Sequence, residues 1–184
     1  MKMFIVGGGA EAAFRQMGFE VVKDPFKAEL FQFMGGEDVT PELYGEKNTN
    51  SFNRFSRDVE EMGWFHLAQR MGIPCVGICR GGQFLNVMCG GKMKQDVPGH
   101  THNHTLNTAI FGKCEATSTH HQMMIPSPYG KLIGWGETKN DVEVVWYETE
   151  NCLCFQPHPE YYPVEMPELS DMYTHMIDEY LFHE

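Results

Sequence analysis

Cys79 has the surroundings of a reactive thiol. It stands in Gly-Ile-Cys-Arg-Gly (residues 77–81), after the apolar run 73–78 and before a helical pattern in residues 84–88. This change of pattern predicts a strand, a sharp turn and a helix, with the thiol at the turn. Glycines two positions away give a strained elbow the room it needs, and a helix N-terminus favours a thiolate. Cys79 is therefore predicted to be a nucleophile; the alternative is a buried core cysteine.

His158 and Glu160 supply the two groups that a cysteine nucleophile requires. The thiol needs a base to take its proton, and the base needs a third group to hold its tautomer. Both residues lie in Pro-His-Pro-Glu (residues 157–160), where the prolines restrict the backbone. Side chains two positions apart in an extended segment point the same way, so Glu160 can support the ring of His158. The three residues together predict a Cys-His-Glu triad.

Strands and helices that alternate along the chain must position these residues. Apolar runs that predict strands occupy residues 2–6, 21–22, 30–34 and 73–78, and helical patterns occupy residues 11–17, 51–71 and the segment from the elbow to Gly90. Three β-rich runs follow at 131–135, 142–147 and 152–156, and residues 167–182 predict a closing helix. The short turns between the β-rich runs suit hairpins. The prediction is an α/β fold, a mainly parallel sheet flanked by helices, with an antiparallel extension before the 157–160 loop.

Two helices carry more detailed predictions. Thr40 and Pro41 are expected to begin a helix as its cap and first residue. Helix 51–71 is predicted to bury an apolar stripe made of Phe55, Val59, Met62 and Phe65. Its charged residues, Arg57, Asp58, Glu60 and Glu61, lie mostly off that stripe. Residues 92–119 have no clear periodic pattern.

Composition restricts the classes of protein to consider. The 184 residues suit a single domain spanning residues 1–184. With 14 Lys and Arg against 25 Asp and Glu, a net charge of −11 argues against a surface for nucleic acid or anionic membranes. No apolar run reaches membrane-spanning length, and the short apolar run at the start does not suit a signal peptide, so we expect a cytoplasmic protein. The six cysteines are expected to be free thiols.

Two other motifs each allow a structural interpretation and a ligand-binding interpretation. Gly7, Gly8 and Gly9 are expected to form a turn rather than a phosphate-binding loop, because no dinucleotide or phosphate-loop spacing follows. The alternating His100, His102 and His104 would share one face of a strand, as in a metal site. A polar, solvated segment is the favoured interpretation, because no carboxylate or thiol lies nearby at a ligand spacing. No metal or organic cofactor is therefore expected.

The motifs Gly-Ile-Cys-Arg-Gly-Gly-Gln (77–83) and His-Pro-Glu (158–160) resemble the class I glutamine amidotransferase family, and within it the gamma-glutamyl hydrolase branch, peptidase family C26. Further stretches in the family's order strengthen the resemblance: Gly-Gly-Glu-Asp (35–38), Arg57-Asp58 with Glu61, Leu-Asn-Val (85–87), Gln95-Asp96 and His-His-Gln (120–122). The resemblance implies a flavodoxin-like, doubly wound sheet. It also implies that the γ-amide of a γ-glutamyl compound is cleaved through a γ-glutamyl thioester.

The resemblance also implies a role for each matching residue. Cys79 would be the nucleophile, His158 the base and later the acid, and Glu160 the carboxylate that orients the ring. The backbone amides of Gly36 and Arg80 would form the oxyanion hole; Gln83 would hold the α-amino and α-carboxylate end of the substrate, and His121 would line the pocket. The Arg80 side chain is left open between a solvated surface arginine and a substrate contact.

Three functions fit these motifs. The first is a stand-alone hydrolase that acts on a small γ-glutamyl amide. The second is a glutaminase subunit that delivers ammonia to a separate synthase docked in trans. The third is an inactive relative that serves as a binding module, which the complete triad disfavours. The sequence does not define the amine of the substrate or the oligomeric state.

Overall fold

Strands buried on both faces form the centre of the molecule. The structure, a computed structural model, describes residues 1–161, 163–164 and 166–183. The strands are β1 (Lys2–Ile5), β2 (Glu20–Val22), β3 (Leu30–Phe33), β4 (Cys75–Ile78), β5 (Lys92–Lys94), β6 (His104–Thr108), β7 (Lys113–Ala116), β8 (Met123–Ile125), β9 (Lys131–Trp135), β10 (Val142–Tyr147) and β11 (Cys152–Phe155). The α-helices are α1 (Glu11–Gln16), α2 (Phe55–Met71), α3 (Arg80–Met88) and α4 (Pro167–Ile177), with a π-helical turn at Asp178–Phe182 and 3-10 helices at Pro25–Lys27 and Pro41–Tyr44.

Across the described residues, nine strands pair into one mixed sheet. Their order is β2-β1-β3-β4-β11-β10-β9-β6-β7. The first five strands are parallel, and β10, β9, β6 and β7 continue the sheet in antiparallel pairs. β5 and β8 form a separate antiparallel pair. The predicted α/β fold with its antiparallel extension is confirmed. No helix in the described part of the chain is long and apolar enough to cross a membrane.

Helices cover both faces of the parallel half. On one face, α2 and α3 pack on the sheet, and Phe33 of β3 stacks on Phe84 of α3 with ring centroids 5.6 Å apart. On the other face lie α1 and α4, where Phe155 of β11 meets Tyr173 edge-on at 5.1 Å. The central strands β4 and β11 are neighbours in parallel register, with Ile78 opposite Phe155. The segments that leave these two strands therefore emerge side by side at one edge of the sheet.

Several elements differ from the sequence prediction. The predicted helix 51–71 begins only at Phe55, and Pro41–Tyr44 is a single 3-10 turn. The Thr40 hydroxyl does not cap that turn, because it donates a hydrogen bond to Asp58 instead. The segment 92–119 contains β5, β6 and β7. β6 and β7 pair with each other, while β5 pairs with β8 and β6 also pairs through Thr108 with Gly134 of β9. Its polar strands lack the hydrophobic period by which a strand is recognised in a sequence.

The predicted apolar stripe of α2 was wrong in part. Phe65 is buried, but Phe55 and Val59 are exposed. The face that packs inward contains Asp58 and Glu61 beside Phe65 and Ala68. Two buried carboxylates on this face require a cationic partner, because an unpaired buried charge is costly.

Candidate active site

Cys79 occupies a strained turn between β4 and α3. Its backbone has φ 50° and ψ −116°, which an L-residue rarely adopts. The turn brings backbone segments so close that a Cβ on Gly77 would lie 2.3 Å from the carbonyl of Gly81, and one on Gly81 would lie 2.3 Å from the carbonyl oxygen of Phe33. Glycine is required at both positions for this reason. The turn holds the thiol at the N-terminus of the nine-residue helix α3.

His158 and Glu160 lie just beyond the end of β11, beside that turn. Nδ1 of His158 is 2.8 Å from Oε1 of Glu160, and the ring stacks on Tyr161 with centroids 4.1 Å apart. The backbone N–H of His158 donates to Oγ1 of Thr117 at 2.7 Å. The ring also lies close to the side chain of Cys79, because a Cβ placed on Gly35 would be 2.9 Å from Cε1 of His158 and 3.6 Å from Cβ of Cys79. The structure thus brings Cys79, His158 and Glu160 together, and their catalytic roles stay a prediction.

The charge state of His158 follows from these contacts. Burial lowers the pKa of the imidazole, but hydrogen bonds and charge interactions with Cys79 and Glu160 outweigh burial and raise it to about 10. The ring is therefore positively charged at neutral pH. The site therefore places an imidazolium beside the thiol at the N-terminus of α3.

A loop after β3 faces the triad, and Arg57 of α2 holds it. The Arg57 guanidinium donates hydrogen bonds to the carbonyl oxygens of Met34 and Gly35, each at 3.0 Å. In a planar trans peptide the carbonyl and the following N–H point in opposite directions. The N–H of Gly36 therefore points away from Arg57. Gly36 itself has φ 139°, and a Cβ there would lie 2.1 Å from Arg57 Nη1.

The Arg80 side chain is not the solvated surface arginine that its sequence left as one of two possibilities. It is 1% exposed and forms ion pairs with Asp58 and Glu61, the carboxylates on the buried face of α2. Burial and the nearby Arg57 lower the pKa of the guanidinium to about 10, which still leaves it charged at neutral pH. Glu61 also accepts from Arg57 Nε at 2.8 Å. This network ties α2 both to the loop after β3 and to the residue that follows Cys79.

Sequence reasoning gave this network no role. Arg57, Asp58 and Glu61 were predicted to lie mostly off the apolar stripe of their helix, and they also matched residues of the family. The available signal was their spacing, because positions three and four apart share one face of a helix. A face of that kind beside an apolar core indicates a buried ion-pair partner elsewhere in the chain.

A pocket of about 230 Å³ opens beside the thiol. It is lined by Gly36, Cys79, Gln83 and His121, together with Glu37, Asp38, Phe52, Arg80, Thr119, His120 and Gln122. The amide nitrogen of Gln83 donates to Gln156 at 3.1 Å, and Gln83 Oε1 has no hydrogen-bond partner in the described part of the chain. Nε2 of His121 lies 3.2 Å from Oδ2 of Asp38. A larger cleft of about 520 Å³, beside Gly7 and Gly8, does not include the thiol.

Three comparisons describe what the chain resembles. The family model of Peptidase C26 matches residues 27–147, a range that includes Cys79 and ends before His158. The candidate glutamine amidotransferase-like protein YvdE of Lactococcus lactis is 30% identical over 155 residues, which cover 68% of this chain and 63% of YvdE. The other curated relatives are matched over 24–35% of their length.

Solved structures share the fold at low identity. A glutamine amidotransferase of Thermotoga maritima superimposes with a TM-score of 0.67 at 15% identity, covering 99% of this chain and 85% of that one. A candidate GMP synthase subunit of Thermoplasma acidophilum gives a TM-score of 0.65 at 15% identity, covering 96% of both chains.

Proposed function

Because this chain belongs to the Peptidase C26 family and is glutamine amidotransferase-like, we propose that it is a cysteine hydrolase that cleaves the γ-amide bond of a γ-glutamyl compound. One observation carries the proposal. The ring of His158 lies close to both Glu160 and Cys79: Nδ1 is 2.8 Å from the carboxylate, and Cε1 of the ring and Cβ of Cys79 flank the position that a Cβ on Gly35 would take, at 2.9 and 3.6 Å. This is the arrangement that a thiol nucleophile and its base require.

In the first half of the proposed reaction, the Cys79 thiolate attacks the γ-carbonyl carbon, and the carbonyl electron pair moves to oxygen. The backbone amides of Gly36 and Arg80 donate hydrogen bonds to that oxyanion. When the carbonyl re-forms, the C–N bond breaks and the leaving amine takes the proton of the His158 imidazolium. The product of this half is a γ-glutamyl thioester on Cys79.

The second half releases the acid. Neutral His158 removes a proton from water as the water oxygen adds to the thioester carbonyl. The C–S bond then breaks, which regenerates the thiolate beside the imidazolium. Glu160 holds the ring in one tautomer through both halves. Gln83 Oε1, which faces no donor in the described part of the chain, is suited to accept from the substrate's α-ammonium group. His121 is proposed to line the same end of the pocket.

Glutamate release from purified protein tests the proposal. Glutamine, a γ-glutamyl polyamine and a polyglutamate are the substrates to compare. Cys79→Ala is expected to lower the rate at least about 10³-fold. Cys114→Ala is the matched control, because burial raises the pKa of that thiol to about 11 and it lies outside the pocket. Its activity should equal that of the unmodified chain. Full activity in Cys79→Ala would refute the proposed nucleophile.

Covalent labelling gives a second test that is independent of the leaving amine. A glutamine-like chloroketone should alkylate Cys79 alone. Cys152 and Cys154 are fully buried, and burial raises the pKa of both thiols well above the usual range. Labelling that survives in Cys79→Ala, or that falls equally on Cys114, would contradict the proposal.

A glutaminase that passes ammonia to a synthase in trans is the second candidate function. Its support is the structural likeness to the candidate GMP synthase subunit of Thermoplasma acidophilum, which at 15% identity concerns the fold. Negligible glutamine turnover that rises when cell extract is added would favour this function. Cleavage of a γ-glutamyl amine by the isolated chain would favour the hydrolase. Failure of both turnover and labelling would leave a binding module.

A further inference from the structure

Three histidines and one glutamate from separate segments meet outside the triad. His104 of β6 places Nε2 at 3.2 Å from Oε1 of Glu143 on β10. Nδ1 of His100 and Nε2 of His120 each lie 3.7 Å from the same oxygen. The ligand-type atoms of His100, His104 and Glu143 all lie within 4.8 Å of one another. The carboxylate that the sequence interpretation of these histidines lacked is therefore present, supplied by a distant strand.

The polar atoms of this cluster are buried and unsatisfied. The Glu143 side chain is 0% exposed and that of His120 is 3% exposed. Within the described residues, neither carboxylate oxygen of Glu143 has a hydrogen-bond partner, and the same holds for His100 Nδ1, His104 Nε2 and His120 Nε2. Buried polar atoms of native proteins are nearly always paired with protein, water or an ion. Several unpaired nitrogen and oxygen atoms that face the same point are typical of the ligands of a metal ion.

The tautomer of His120 also suits a ligand. Its Nδ1 lies 2.8 Å from the carbonyl oxygen of Gln122, so Nδ1–H is the donor and the lone pair of Nε2 faces Glu143. On His100, the nitrogen remote from Glu143 faces Asp141 Oδ1 at 4.0 Å. Histidines that bind metals are typically oriented in this way by a carbonyl or carboxylate on the second nitrogen.

We propose that His100 Nδ1, His104 Nε2 and the Glu143 carboxylate bind a divalent transition-metal ion, best matched by Zn²⁺, with His120 Nε2 as the fourth ligand. Zn²⁺ takes histidine nitrogen and carboxylate oxygen at about 2.0–2.1 Å in a tetrahedron, which separates its ligands by about 3.4 Å. The measured separations of 3.2 and 3.7 Å from Glu143 Oε1 are close to that value. A cavity of about 210 Å³, lined by His100, His104 and Asp141 among others, gives an ion a route from solvent.

A simple ion pair is the competing explanation. Nε2 of His104 lies nearest to the carboxylate, at 3.2 Å from Glu143 Oε1, so a protonated His104 would form a salt bridge with Glu143. That pairing uses one ring and leaves the nitrogens of His100 and His120 without partners in the described part of the chain. A metal ion satisfies all three rings and the carboxylate together.

The ion would brace segments next to the candidate active site. His120 precedes the pocket residue His121, and the Glu143 carbonyl accepts from the backbone N–H of Gln156 at 2.8 Å, just before the loop of His158. We expect a structural ion that orders this edge. The inference does not depend on the proposed hydrolase, since it concerns binding and stability.

Zinc binding to the purified full chain, with any affinity tag removed, tests the proposal. After dialysis against EDTA, the chain is titrated with ZnCl₂ in competition with a chromophoric chelator. A single tight ion per chain is expected. Glu143→Gln, which keeps the shape of the side chain, and His104→Ala should each weaken Zn²⁺ binding by more than about 100-fold, since even loss of an outer partner costs 10- to 100-fold. His102→Ala is the matched control, because His102 is exposed in the same segment and Glu143 faces His100, His104 and His120 instead.

Two further readouts keep the test decisive if a variant folds poorly. Co²⁺ bound to the unmodified chain should show the strong visible absorption of a four-coordinate site. ZnCl₂ should raise the melting temperature of the unmodified chain and of His102→Ala, and should leave that of Glu143→Gln unchanged. Absence of tight Zn²⁺ binding by the unmodified chain, or an equal loss in His102→Ala, would overturn the proposal in favour of the His104–Glu143 ion pair.

Discussion

Gly35→Ala should damage the proposed catalytic site while leaving the fold intact. A Cβ at Gly35 would lie 2.9 Å from Cε1 of His158 and 3.6 Å from Cβ of Cys79. Carbon atoms in contact are normally about 3.5–4.0 Å apart, so the ring must move by about 0.6–1.1 Å. The ring is held by its 2.8 Å contact with Glu160 and by stacking on Tyr161. Displacement of this size costs about 100-fold in rate, or about 2.7 kcal/mol of activation free energy.

Gly63→Ala is the matched control for this substitution. Gly63 lies within α2, and a Cβ there would meet no atom within 4 Å. Because alanine is the better helix former, this variant should gain about 0.5–1 kcal/mol of unfolding free energy and keep full activity. Both variants would be compared by kcat/KM for glutamate release and by urea unfolding.

Alkylation of Cys79 by iodoacetamide provides a readout that requires no substrate. In Gly35→Ala the displaced imidazolium supports the thiolate less well, so alkylation near neutral pH should slow. Rates that match those of Gly63→Ala in both assays would refute the reasoning. They would mean that His158 is not held against the thiol as tightly as the contacts indicate.

Two further predictions concern charged groups. The pKa of His158 is about 10 in the folded chain against an ordinary 6.5, so its charge stabilises the fold fully below pH 6.5 and this contribution is lost as the pH rises through 10. The difference in unfolding free energy between the unmodified chain and His158→Asn should therefore shrink as the pH rises from 6.5 to 10. When both chains also carry Cys79→Ala, the difference should shrink less. A difference that stays constant with pH would contradict the prediction. Glu61→Gln removes one partner of a buried ion pair and should cost about 3–5 kcal/mol in urea unfolding. Its control Glu60→Gln, at an exposed position of α2, should stay within about 0.5 kcal/mol, and equal costs would show that the buried network does not stabilise the fold.

Local signals explain why much of the fold was predictable. The strand, elbow and helix around Cys79 are consecutive, and the glycines that the elbow requires lie within two residues of the thiol. Strands β9, β10 and β11 follow one another through short turns, so each of these pairings joins strands that are neighbours in the sequence. His158 could be predicted because it lies in Pro-His-Pro-Glu (157–160), directly after the β-rich run 152–156.

Long-range pairing explains what could not be predicted. The sequence of the buried face of α2 is hydrophilic because Asp58 and Glu61 are charged. Arg80, the arginine that pairs with both, follows only after a further loop and strand. The histidines near β6 likewise read as a solvated segment. Their carboxylate neighbour, Glu143, comes from β10, and no spacing within the histidine segment reveals it.

Glu61 gives the two proposed oxyanion donors a common anchor. One of its carboxylate oxygens accepts from Arg57, which holds the peptide of Gly35 and Gly36. The other pairs with Arg80, whose own amide is the second proposed donor. The two amides therefore cannot drift independently of each other. A perturbation that reaches this carboxylate would disturb both halves of the hole at once, so the site should lose oxyanion binding as a unit rather than donor by donor.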